Sequence, residues 1–97
     1  MDIAVTVTQG EFGPAEVKDA VAFALRTEGE QARSRRTRYE TLCLVFAQQH
    51  DLSSDEFLSR FEAGELGDDA YTFDWYAVKK AFDLWDRRFR ILSEASV

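Results

Sequence analysis

The residues that could carry out chemistry in this chain are few, and none lies in a recognised catalytic pattern. His50 is the only histidine and Cys43 the only cysteine. Nucleophilic catalysis needs a serine or cysteine beside a base, and phosphate chemistry needs a glycine-rich loop; neither motif occurs in the sequence. His50 precedes Asp51 and follows two glutamines, a context typical of an exposed helix end. We therefore expect no catalytic residues and a protein that is not an enzyme.

Metal binding is the next chemistry to consider, because carboxylates cluster in an acidic turn at Glu65, Asp68 and Asp69, with Asp74 beyond it. A calcium loop of the EF-hand type needs acidic residues at alternate positions, then a glycine, and a glutamate at its twelfth position. The turn lacks that pattern. Capping of the following helix by Asp68, Asp69 or Thr72 explains the same residues better. We expect no metal site and no cofactor.

The strongest charge cluster is basic. Four arginines stand within six positions of the polar stretch 26–38: Arg33, Arg35, Arg36 and Arg38. Such a cluster could bind phosphates, which makes these four residues candidate nucleic-acid contacts. The alternative is a solvated helix surface whose arginines pair with Glu28, Glu30 and Glu40 or with the acids of a second chain. Charge runs more often form such a surface, so we favour this second interpretation.

Alternating residues near the N-terminus predict a short β-strand over residues 2–8. Ile3, Val5 and Val7 recur at every second position. One strand cannot satisfy its own backbone groups, and no other segment has a clear strand pattern, so the simplest partner is the same strand in a second copy. A ribbon-helix-helix protein pairs strands in this way and would point Thr6 and Thr8 into DNA. The long helix expected next argues against that fold.

The first helix is expected to begin at Pro14 and to end near His50. Its N-terminal part carries an apolar stripe of Val17, Val21, Ala24 and Leu25. The polar stretch 26–38 follows, and a second apolar stripe resumes at Tyr39. One long helix with a polar waist and two helices divided near Gly29 both fit this pattern. One glycine costs only about 1 kcal/mol relative to alanine in a helix, so we favour the single helix.

Two further helices are predicted. Ser53 and Glu56 form a capping box at the start of a short helix, and Gly64 suits its left-handed exit. A last amphipathic helix runs from about 72 to 93. Six bulky residues recur along it at spacings of three and four and are expected to face the core, with Trp85 as anchor: Trp75, Val78, Phe82, Trp85, Phe89 and Leu92. Four charged residues are expected to face water: Asp83, Asp86, Arg87 and Arg90.

These elements predict a mainly α fold. It comprises a short N-terminal β-strand, one long helix with a polar waist, a short capped helix, and a C-terminal amphipathic helix that packs as an antiparallel helical hairpin. We expect residues 1–97 to form a single domain, in which 1–38 are the strand and an extended helical arm and 39–97 are the helical core.

Composition limits the compartment and the partners. The chain has 97 residues and a net charge of −6, with nine arginines and only three lysines. Such acidity discourages non-specific contact with nucleic acid, and an acidic, lysine-poor composition resembles that of halophilic proteins. No apolar run approaches the ~18 residues of a membrane span, and no secretory signal is recognisable. Cys43 lies in the apolar run 42–46, which predicts a buried thiol. We expect a cytoplasmic protein with no membrane contact.

The functional prediction depends on apolar surface in excess of what the predicted core can bury. The stripe of Val17, Val21, Ala24 and Leu25 lies roughly 30 Å from Phe46 on a continuous helix. The predicted core cannot easily cover it, so these four residues are the candidate partner-binding surface. We expect a non-catalytic protein-interaction module that forms a homodimer. The alternative is a nucleic-acid-binding transcriptional regulator that uses the N-terminal strand pair or the cluster Arg33–Arg38.

Residues 57–88 resemble a family of small uncharacterised archaeal and bacterial proteins, some of them haloarchaeal. The shared pattern is F-x-x-G-E-L-G-D-D, then an aromatic residue, a tryptophan and a final amphipathic helix. It is matched here by Phe61, Gly64, Glu65, Leu66, Gly67, Asp68, Asp69, Phe73 and Trp75. Some relatives are regarded as candidate antitoxins because they are encoded beside small toxins. The resemblance implies an antitoxin-like role and a small toxin protein as partner.

Overall fold

The protein folds as three helices. A computed structural model describes residues 1–6 and 10–97, with α1 at Pro14–His50, α2 at Ser54–Glu62 and α3 at Ala70–Glu94. Within those ranges no β-strand forms, and the only β pairing is an isolated bridge between Asp2 and Ser96. The prediction of a mainly helical chain is confirmed.

The first helix, α1, is continuous over 37 residues and passes through Gly29 without a break. Pro14 occupies its first turn, where the missing N–H needs no partner, and Asp51 ends it in the left-handed conformation at φ 50°. The single helix is therefore the correct one of the two sequence interpretations. Gly29 faces α3, and a Cβ placed on it would lie 3.8 Å from the Cβ of Leu92, an ordinary contact distance.

This geometry predicts that Gly29→Ala stabilises the protein by about 0.5–1 kcal/mol. The added methyl fits beside Leu92, and alanine loses less backbone entropy in a helix. Gly64→Ala should have the opposite effect, because Gly64 has a φ of 74° that a side chain disfavours. Urea unfolding of both variants at one protein concentration checks the pair. A destabilised Gly29→Ala variant would show that the two helices lie closer together at Gly29 than described.

The second helix, α2, begins with the predicted cap. The Ser53 hydroxyl accepts a hydrogen bond from the Glu56 N–H at 3.1 Å. At the other end, Gly64 takes the left-handed conformation, and the Glu65 N–H donates to the Arg60 carbonyl at 3.0 Å. Both ends of α2 are thus fixed by local hydrogen bonds, which is why they could be predicted from neighbouring residues alone.

Helices α1 and α3 form an antiparallel hairpin. His50, at the end of α1, stacks on Tyr71 at the start of α3 with ring centroids 4.0 Å apart. Arg36 meets Asp86 near the middle of the hairpin, and Gly29 faces Leu92 at its far end. Because a 25-residue helix is roughly 37 Å long, α3 reaches well past residue 39 and covers much of the polar stretch of α1.

The N-terminal residues pair with the C-terminal ones. The Ile3 N–H donates to the Ser96 carbonyl at 2.6 Å, and the Ser96 N–H donates to the Met1 carbonyl at 3.0 Å. These bonds satisfy backbone groups that the sequence prediction assigned to a second copy. The predicted strand 2–8 is not seen in its described part, and Val7 and Thr8 lie outside the described residues.

Candidate interaction surface

The core is anchored by Trp75, whose exposed fraction is 0%. Its ring stacks on Phe57 of α2 with centroids 4.0 Å apart and on Phe46 of α1 at 5.7 Å. The indole N–H donates to the Ser54 hydroxyl at 2.9 Å, so its one polar group has a partner. Trp75 therefore joins all three helices.

The prediction that Trp85 is the core anchor is wrong. Each residue turns an α-helix by roughly 100°, so Trp85, ten residues after Trp75, lies about 80° away from it around the helix. Residues that repeat every seven positions therefore move gradually off the buried side of a straight helix. Trp85 is only half-buried. The guanidinium of Arg35 lies 4.5 Å from the centre of its ring and that of Arg88 lies 4.9 Å away.

Asp86 was expected to face water, and this prediction is also wrong. Its carboxylate lies within the hairpin, where the Arg36 Nε donates to Oδ1 at 2.6 Å and Arg90 contacts Oδ2 at 2.9 Å. The hydrogen bond to Asp86 raises the pKa of the Arg36 guanidinium. Arg36 also lies 3.6 Å from Glu40. One of the four clustered arginines is therefore engaged inside the chain.

Lys79 is a buried cation that the sequence analysis missed. It is 6% exposed, and its ammonium lies 2.8 Å from Asp55 of α2 and 2.7 Å from Asp83 of α3. Burial alone would lower the pKa of Lys79, but the hydrogen bonds that its ammonium donates to the two carboxylates outweigh burial and raise that pKa. A positional signal existed, since Lys79 follows Trp75 by four residues and precedes Phe82 by three, on the apolar side of α3.

Cys43 is buried, as predicted, and burial raises the pKa of its thiol. Its carbonyl accepts a hydrogen bond from the Ser54 hydroxyl at 3.5 Å, which ties α1 to the start of α2. A poorly ionised, buried thiol is a weak nucleophile. Its role in the described structure is packing.

Helix α2 covers part of one side of the hairpin. Asp55 reaches Lys79, Phe57 packs on Trp75, and the Phe61 ring stacks on Tyr76 of α3 at 4.4 Å. Leu44 of α1 also lies on that side, where it lines a cavity together with Ser53 and is 55% exposed.

We call the opposite side of the hairpin the open side. Leu42 lies about 160° around α1 from Leu44 and therefore faces away from α2. It is 39% exposed, and Val45, on the same side, is 45% exposed. Arg35 precedes Leu42 by seven residues and covers the ring of Trp85, which shows that the exposed flank of α3 lies on this side too. The open side thus combines exposed aliphatic residues, a half-buried tryptophan and arginines.

The residues predicted to bind a partner are partly brought together. Val17 and Val21 are half-buried and Ala24 is exposed, and all three continue the open side toward the N-terminus of α1. Leu25 turns toward the end of α3 and lines a groove there with Leu92.

The predicted nucleic-acid contacts are not gathered into one site. Arg33 lines the groove near the C-terminus, while Arg35 stacks on Trp85 and Arg38 lies 5.7 Å from the centre of the Tyr39 ring. Thr6 is exposed near the N-terminus. Of these candidates, Arg35 and Arg38 share the open side.

Two negative findings concern residues 1–6 and 10–97 only. No group of three or more His, Cys, Asp or Glu side chains is placed to hold a metal ion. No described helix is both long and apolar enough to cross a membrane.

No family model matches the chain, and neither the curated proteins nor the solved structures include one with significant similarity to it. The resemblance of residues 57–88 to small archaeal and bacterial proteins therefore stays a prediction.

Proposed function

We propose that this protein is a non-catalytic interaction module that forms a homodimer through the open side of its helical hairpin. The observation that supports this best is the group of exposed apolar residues on the open side, which α2 does not cover. Helix α2 packs on one side, whereas the other side leaves Leu42 and Val45 exposed next to a half-buried Trp85. Exposed apolar side chains grouped on one side of a small protein are typical of an interface.

The physical basis is the amount of apolar surface that two long helices can bury on each other. A pair of helices covers one stripe on each, and stable bundles add further helices to cover the flanks. Full burial of one exposed leucine or valine side chain contributes roughly 1.5–3 kcal/mol, and a partner would add the part of it that the 39% exposed Leu42 and the 45% exposed Val45 still lack. A second chain packed on the open side would bury several of these side chains at once. Helix α2 of the same chain cannot reach them.

We therefore expect Leu42→Ser to dissociate the dimer while the helices stay folded. Leu84→Ser is a matched control, because Leu84 is 45% exposed and lies on the back of α3, about 180° around the helix from Trp75. Native mass spectrometry gives the oligomeric state, and circular dichroism gives the helix content. The expected result is a monomeric Leu42→Ser variant and a dimeric Leu84→Ser variant, both with parental helix content.

Two results would overturn the proposal. The first is a parent protein that is monomeric under the conditions of this comparison. The second is a dimer that survives Leu42→Ser but is lost in Leu84→Ser, since the contact would then lie on another surface.

A small toxin protein, the partner that the resemblance implies, would bind to the same surface. A nucleic acid is the second candidate, supported by Arg35 and Arg38, two exposed residues on this side. Filter binding at two salt concentrations separates the candidates, because phosphate contacts weaken steeply as salt rises. Our proposal predicts no retention of DNA or RNA even at low salt. Salt-sensitive retention that Arg35→Gln reduces would favour the nucleic acid.

A further inference from the structure

Along the open side, α1 carries a repeating seam of residues spaced alternately by four and three. We call it the α1 seam, and in chain order it consists of Val17, Val21, Ala24, Glu28, Gln31, Arg35, Arg38, Leu42 and Val45. None of these residues is buried, and seven of the nine are exposed. A seven-residue repeat over this length is the pattern by which one helix packs along another.

The charges of the α1 seam are arranged in a definite order. Its two ends are apolar, and its middle is polar. Glu28 lies toward the N-terminal end of that middle, and Arg35 and Arg38 lie toward its C-terminal end. Among the described residues none of these three forms an ion pair within the chain. When a second copy of the seam runs in the opposite direction, the acidic residue of one copy therefore lies opposite the basic residues of the other.

We infer that the second copy packs its α1 antiparallel along the α1 seam, about a two-fold axis near residue 33. This inference rests on the proposed homodimer and specifies its geometry. Antiparallel helices with a seven-residue repeat place Val21 against the partner's Val45 and Ala24 against the partner's Leu42. The same register places Glu28 against the partner's Arg38. The polar middle then supplies ion pairs that select this orientation, and the apolar ends supply the burial.

Other two-fold arrangements are disfavoured by charge. Parallel α1 helices would set Arg35 and Arg38 against their own copies, with repulsion in place of attraction. An arrangement with α1 over the partner's α3 would bring Arg35 close to the partner's Arg88 and leave the N-terminal end of the seam uncovered. Only the antiparallel arrangement covers both apolar ends of the seam and pairs Glu28 with an arginine.

Cysteine crosslinking tests this geometry, in a Cys43→Ala background that leaves no native thiol. Val21→Cys and Val45→Cys are prepared separately, mixed to allow subunit exchange, and treated with a short bismaleimide. In the antiparallel dimer the two positions face each other, whereas Val21 and the partner's Val21 lie roughly 36 Å apart. We expect a crosslinked heterodimer in the mixture and none in either variant alone.

The other outcomes each contradict the inference in a recognisable way. Crosslinks within Val21→Cys alone would show parallel α1 helices. Ala81 lies on α3 one turn before Trp85. Crosslinks of Val45→Cys with an Ala81→Cys variant, in place of Val21→Cys, would show α1 over the partner's α3. A protein that remains dimeric by native mass but forms no crosslink would overturn the seam while leaving the proposed function intact. A monomeric mass would contradict both the antiparallel seam and the proposed homodimer. The failure of the seam alone can thus be distinguished from the failure of the proposed function.

Discussion

Replacement of Trp75 by alanine is expected to lower the free energy of unfolding by about 3–5 kcal/mol, the usual range for a fully buried large aromatic residue. Trp75 is 0% exposed, stacks on Phe57 and Phe46, and donates its indole N–H to Ser54. The truncation removes a contact that every helix shares. Since a domain of this size has roughly 5–10 kcal/mol in total, the variant should be close to unfolding.

Trp85→Ala is the matched control for this prediction, because it deletes the same side chain from a half-buried position. Both variants are compared by urea unfolding in the Leu42→Ser background, so that dimer dissociation does not contribute. Trp85→Ala should lose clearly less stability than Trp75→Ala. Equal losses, or a Trp75→Ala variant within about 1 kcal/mol of the parent, would mean that Trp75 is not the anchor.

The second large effect is expected from Asp55→Asn combined with Asp83→Asn. These changes leave the buried ammonium of Lys79 without an anionic partner, although neutral amides remain nearby. A buried charge that loses its partner costs several kcal/mol, and partial access to water at Asp83 reduces this to about 2 kcal/mol. Lys79→Met should cost less than about 1 kcal/mol, because it removes the buried charge itself and leaves only well-solvated carboxylates.

The pH dependence follows from the raised pKa of Lys79. Stabilisation by the two carboxylates is fully present below the ordinary lysine pKa of 10.5 and is lost as pH rises through the higher pKa of the folded protein. Urea unfolding across the alkaline range should show this loss in the parent and not in Lys79→Met. A double asparagine variant as stable as the parent would mean that the ion pairs contribute nothing to holding α2.

The features that the sequence predicted well depend on local spacing. The cap at Ser53 and the exit at Gly64 involve residues a few positions apart, and each satisfies a backbone group of its own helix. The continuity of α1 through Gly29 followed from the small cost of one glycine. Such features need no knowledge of what packs on them.

The features that the sequence did not predict depend on contacts between distant segments. Lys79 and Asp86 point into the structure because acids and bases on other helices meet them there, and hydrophobic periodicity carries no information about such partners. Trp85 was misplaced because a seven-residue spacing drifts around a straight helix. The pairing of residues 1–3 with Ser96 joins the two ends of the chain, which no local pattern could show.

The open side illustrates both cases. The sequence predicted surplus apolar surface on α1 and placed it at Val17, Val21, Ala24 and Leu25. The structure turns Leu25 toward α3 and extends the surface to Leu42 and Val45, because α2 packs on the other side of the hairpin. Helix periodicity could have predicted all residues of the α1 seam. Only the position of α2 shows which side of the hairpin α2 leaves uncovered.

Sedimentation equilibrium of the parent protein over a wide range of concentrations tests the central claim most directly. Association through the open side predicts a mass twice the 11.1 kDa of one chain, falling toward the single-chain mass only on dilution. A mass of 11.1 kDa at every concentration would contradict the claim that a second copy covers the open side.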